Sequence, residues 1–111
     1  MAVNARVIIP AKIAESSQTT QYISANVTTI IDKFTATNYS GSAATLSVNL
    51  VTFADTAGNQ NLVSKSKTLQ PSETYTFPEV TGHVLDSGGF ISTVANVGSS
   101  ISIRASGRVV S

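Results

Sequence analysis

Thr45-Leu46-Ser47-Val48-Asn49-Leu50-Val51-Thr52-Phe53 is the stretch whose reading decides the fold. Leu46, Val48 and Leu50 recur at period two, the repeat of a strand with one face on a core. Upstream, Ser40-Gly41-Ser42 is a turn signal, and before it Thr28 to Tyr39 is a second β-rich run. Two such runs across a short glycine turn read as an antiparallel hairpin. Within Thr28–Tyr39, Ile30, Phe34 and Ala36 share a face and Asp32 is the exception. At the far end of the first stretch, Val51 and Phe53 fall on the face opposite Leu46, Val48 and Leu50. Two readings fit that anomaly: a bulge flips the register, or a partner buries the outer face. Val51 and Phe53 are therefore the candidate interface residues.

The same period runs outward in both directions. Val3, Ala5, Val7 and Ile9 share one face, with Asn4 and Arg6 opposite. Leu62–Leu69, Glu73–Phe77, Phe90–Ala95 and Ser100–Val110 are further strand runs, punctuated by Gly58-Asn59, Gln70-Pro71-Ser72 and Gly88-Gly89. In the last run Ile101, Ile103 and Ala105 face one way, and Ser102, Arg104 and Ser106 the other. About seven or eight short strands at this spacing, with no long helix, predict an all-β antiparallel sandwich of immunoglobulin-like or jelly-roll type. Phe34, Leu46, Val48, Leu50, Ile101 and Ile103 are the expected core. Single helical turns are expected near residues 11–16 and 79–86. Residues 10–27 carry a polar, aperiodic run from Ser16 to Gln21 and read as an extended arm within one domain spanning 1–111.

Composition narrows the function. The chain has 111 residues, a formal net charge of +1, 12% charged residues, one histidine and no cysteine. No disulfide or thiolate metal site is possible, and zinc catalysis needs more His or Cys than this. The weak charge disfavours an electrostatic nucleic-acid binder, and no apolar run is long enough for a spanning helix. Val3–Ile9, broken by Asn4 and Arg6, lacks the form of a secretory signal. His83 has no nucleophile-elbow Gly-x-Ser-x-Gly beside it. Asp55-Thr56-Ala57-Gly58-Asn59 reads as a turn rather than a calcium loop, for want of the later ligands. Lys65 and Lys67, two apart, share a face with Val63 and Leu69 and mark an edge strand. No enzyme chemistry, cofactor or metal is expected.

Two segments carry a resemblance. Leu69-Gln70-Pro71-Ser72-Glu73-Thr74-Tyr75-Thr76-Phe77 and the tail Gly88-Gly89-Phe90-Ile91-Ser92-Thr93 with Ile101-Ser102-Ile103-Arg104-Ala105-Ser106-Gly107-Arg108 resemble small head-decoration (cement, or stapling) proteins of tailed phages, epsilon-15-like short-tailed Salmonella phages among them. The resemblance implies a non-enzymatic virion protein, made in the host cytoplasm, on the outer capsid surface. It would bind the major capsid protein as a homodimer and brace neighbouring subunits against internal DNA pressure. A carbohydrate-binding or adhesin-like module of a phage fibre is the alternative, which exposed stacking around Tyr22, Tyr39 or Tyr75 would favour.

Overall fold

A computed structural model describes residues 2–111. The strands are β1 (Val3–Ile13), β2 (Thr19–Ile23), β3 (Thr28–Asn38), β4 (Ala44–Val51), β5 (Leu62–Leu69), β6 (Thr74–Tyr75), β7 (Val84–Leu85), β8 (Phe90–Ala95) and β9 (Ile101–Val110). One sheet runs β1-β9-β3-β6, with β7 also on β3; the other runs β2-β8-β4-β5. Every pairing is antiparallel. Strands β6 and β7 meet β3 at its two ends, at Ala36–Thr37 and Thr29–Ile30, and form one interrupted edge strand. Counted so, the first strand pairs with the last, the second with the second-last, the third with the third-last, and the middle two with each other. A long hairpin wound over two sheets gives this order, which is a jelly roll.

Between the sheets lie Ile9, Ile31, Phe34, Leu46, Val48, Leu69, Phe77, Val80, Ile91, Ile101 and Ile103, all at most 1% exposed. Strand β4 pairs with β8 without a break from Leu46 to Val51, so Leu46, Val48 and Leu50 do share the inner face. Leu50, expected in the core, sits at its rim and is only half-buried.

Four other expectations are corrected. Residues 10–27 are not an arm. β1 continues to Ile13, and β2 pairs with β8 through Thr19↔Thr93 and Ile23↔Phe90. The polar run is held by side-chain bonds instead of apolar period: Gln21 Nε2 donates to Glu15 Oε1 (2.9 Å) and Thr93 Oγ1 (3.0 Å). Among the described residues no helix forms at 11–16 or 79–86, and the one helical element is a 3-10 turn at Asn59–Asn61. Around residue 80 the chain instead makes a tight turn on the Phe77 carbonyl, which accepts from Val80 and Thr81. That turn inserts Phe77 and Val80 into the core.

The remaining two corrections come from bulges, each of which reverses the faces beyond it. In β3 the register breaks between Ile31 and Lys33. Thr29 and Ile31 therefore point inward with Phe34 and Ala36, while Ile30 is on the outer side. In β5 the register against β4 breaks twice, with Ser66 at φ 49°. Lys67 lies opposite the inward Leu46 and sets its ammonium 4.4 Å from the Tyr75 ring centre. Lys65 points to the outer side, beside Ser47 and Asn49. The two lysines thus occupy different faces of a strand that is indeed a sheet edge.

Asn38 closes the β3–β4 turn from inside. It is fully buried; Nδ2 donates to Ser42 O (2.8 Å) and Leu69 O (2.9 Å), and Oδ1 accepts from Ser40 N (2.9 Å) and Ser40 Oγ (2.7 Å). Asn38→Ala should lose about 1–3 kcal/mol in a urea titration, because it leaves the buried Leu69 carbonyl without that donor. A change near zero would mean that water takes the place of the amide.

Candidate interaction surface

The two candidate interface residues separate. Val51 is fully buried and Phe53 is 70% exposed. Val51 does lie on the outer side of its sheet, but the chain's own loop covers that side. Asn49, two residues earlier on the same face, draws the 52–61 connection back over the sheet: its Nδ2 donates to Gly58 O (3.0 Å) and Asn61 Oδ1 (2.7 Å). Its Oδ1 accepts from Gln18 Nε2 (3.2 Å), which also donates to Ser92 Oγ (2.7 Å). Neither expected explanation holds for Val51, since β4 has no break against β8 and an intramolecular loop does the covering. The polar Asn49 in mid-strand was the one sequence signal of that anchor.

Phe53 stands past the end of β4, at one end of the sandwich. Its ring rests on Gly88: a Cβ there would fall 2.9 Å from Phe53 Cγ and closer still to Cδ1. Gly88 also has φ +88°, and its N–H donates to Ser24 O at 2.6 Å. Glycine is needed here twice, for the left-handed backbone and for the ring's seat. Val84, 55% exposed, lines the same cleft of about 410 Å³. Ile23, also 55% exposed, lies in register with Phe90, which is in turn in register with Val51. The end of the sandwich therefore carries a set of apolar side chains that its own loops leave open to solvent.

Polar groups rim the cleft: Asp55, Gln60, His83 and Asp86. The Thr56 N–H (2.8 Å) and then Gln60 hold the Asp55 carboxyl below the ordinary carboxylate range. His83 is exposed and serves the fold through its backbone carbonyl, which accepts from Ile31 N at 3.0 Å. Among the described residues no three His, Asp or Glu side chains gather in a way that could hold a metal ion.

The tyrosines do not form a platform. The Tyr22 hydroxyl is hydrogen-bonded to Thr29 Oγ1 at 2.7 Å. Tyr75 packs edge-on against Phe77 with centroids 4.7 Å apart, lies under Lys67, and donates to Glu79 Oε2 at 3.0 Å. Partial desolvation and that carboxylate hold its hydroxyl above the usual phenol range. Of the three tyrosines only Tyr39 is largely exposed, at 51%.

In comparisons with known proteins, no family model, no curated protein and no solved structure matches this chain.

Proposed function

We propose that this protein is a non-enzymatic decoration protein of a phage head. In this reading it sits on the outer capsid surface, binds the major capsid protein, and staples neighbouring subunits as a pair of copies. The observation that carries the proposal is Phe53: a large apolar ring, 70% exposed, held in place on Gly88 beside exposed Val84. A ring seated in this way loses little freedom when a partner covers it, which favours binding. Jelly rolls serve in both capsid and lectin domains, so the fold by itself does not choose between them. The hydrogen-bonded Tyr22 and packed Tyr75 weigh against the sugar-stacking alternative.

Cosedimentation of the purified protein with undecorated heads of short-tailed phages tests the reading. Saturable binding is expected, and Phe53→Asp should lower the bound fraction at least tenfold while leaving the circular dichroism spectrum unchanged. Gly88→Ala should also lower the bound fraction by displacing the ring, with some loss of stability from its left-handed backbone. Failure of the wild type to pellet with heads would reject decoration. Release of the protein by free surface glycan would move the assignment to the fibre module.

A further inference from the structure

We infer that the first half of β1 is a pairing edge for a second copy of this chain, joining the two β1-β9-β3 sheets into one across a two-fold axis centred on Ala5. This locates the two-copy part of the decoration reading, on which it rests only for its purpose.

The two sheets present four edges: β1, β6/β7, β2 and β5. Exposed edges invite other strands, and proteins blunt them with bulges, charges, proline or shortness. Three are blunted here. β5 is bulged twice and carries Lys65 and Lys67. β2 has five residues and a register break between Thr20 and Tyr22. The β6/β7 edge is interrupted by residues 76–83, with Pro78 among them. β1 differs. From Val3 to Val7 it pairs with β9 in unbroken register, Val3↔Val110 through Val7↔Ser106. All five of these residues are exposed, Val3 at 57% and Val7 at 49%. The first bulge comes after Val7, and Pro10, with no N–H to give, interrupts the open edge beyond it.

The hydrogen-bond phase fixes which groups are free. Ala2 and Ser111 exchange both backbone bonds, at 3.3 and 3.0 Å. Bonded and non-bonded pairs alternate in an antiparallel ladder. Asn4 and Arg6 therefore bond to β9, and the N–H and C=O of Val3, Ala5 and Val7 point away from it, along the open edge.

The sequence of that edge is self-complementary. Val3-Asn4-Ala5-Arg6-Val7 reads nearly the same in both directions about Ala5. Antiparallel pairing with a second copy sets Val3 against Val7, Ala5 against Ala5, and Val7 against Val3. Each of these pairs exchanges two hydrogen bonds through the outward groups. Asn4 then faces Arg6 of the other copy, at the closer non-bonded sites, where the guanidinium can donate to the amide oxygen. No like charges stand directly opposite one another. A two-fold contact needs this kind of self-matching patch, which is why a second copy is the occupant rather than an unrelated strand.

Sedimentation equilibrium without heads, at micromolar concentration, tests the edge independently of decoration. The wild type should run as a dimer. Ala5→Pro removes an outward N–H and no bond to β9, so it should run as a monomer with an unchanged circular dichroism spectrum. A monomeric wild type, or a dimeric Ala5→Pro, overturns the proposal. Register is read separately, since the chain has no cysteine of its own. A mixture of Asn4→Cys and Arg6→Cys proteins should form a mixed disulfide on mild oxidation, with Cα atoms about 4.5 Å apart at such a site. Neither variant should cross-link efficiently alone. Efficient self-linking of either one, or no linking in the mixture, overturns the register.

Discussion

Phe34→Ala should lose about 3–5 kcal/mol of stability, the range for deleting a fully buried aromatic ring. Phe34 is 0% exposed on β3. It meets Phe77 edge to face with centroids 5.2 Å apart, and Phe77 meets Tyr75 at 4.7 Å. Lys67 caps that series over Tyr75, so the rings run from the centre of the core to the edge of the sandwich. The variant loses the transfer energy of the ring and leaves a cavity between sheets that cannot fully close. In a domain near 100 residues each kcal/mol moves the melting midpoint by about 4 °C or more, so a drop on the order of 12–20 °C is expected. A second readout separates this loss from general softening. Phe77 holds φ 37°, a left-handed backbone that a bulky residue adopts only when packing holds it there. With its stacking partner gone, the Phe77 turn should open first, and the Val80 amide should exchange faster than amides of β8. A loss below about 1 kcal/mol would show that the core does not close around Phe34.

How far the sequence could be read is decided by bulges. Where a strand is regular, as in β9, the alternation of Ile101, Ile103 and Ala105 against Ser102, Arg104 and Ser106 matches the burial residue by residue. Period two also held through β4. It failed at each inserted residue. Val3, Ala5 and Val7 share a face, but the break after Val7 lets Ile8 and Ile9 both turn inward. Ile30 was assigned to the core face, and the break after Ile31 puts Thr29 and Ile31 there instead. A bulge costs one residue of register; Asp32, the polar exception on its face, marked one without giving its direction, and Ser66 left no mark at all. Beyond a polar Asn49 in mid-strand, the Gln18–Asn49–Asn61 bonds were illegible for another reason: their partners lie in segments distant in sequence, and polar residues carry no periodic signal. Phe53 was legible as exposed apolar surface because it breaks the pattern past the strand's end. Val51 broke the same pattern, but its covering loop is a tertiary fact.

Gly107→Ala should cost at least about 2–3 kcal/mol, beyond what one added methyl group does at an open site. Gly107 is buried on β9, between Arg6 of β1 and Ile31 of β3. A Cβ there would run into the Ile30 carbonyl oxygen and the Ile8 side chain. Both obstacles trace to the bulges. The β3 register breaks just past Ile31, and the β1 register breaks just past Val7, on the two sides of the same stretch of β9. These breaks bring a backbone carbonyl and an aliphatic side chain to the place where a strand residue would normally put its Cβ. The side chain can move aside, but the carbonyl belongs to a paired strand and moves only if β3 does. The damage should therefore concentrate in the β1-β9-β3 sheet. Hydrogen exchange should quicken for the Asn4 and Arg6 amides before it does for Val48 or Ile91. Gly41→Ala is the matched control, since a Cβ at Gly41 meets nothing within 4 Å. It should be neutral or gain a few tenths of a kcal/mol by narrowing the unfolded chain. Equal stability of the two variants would mean that β3 does not approach β9 as closely as these bulges require.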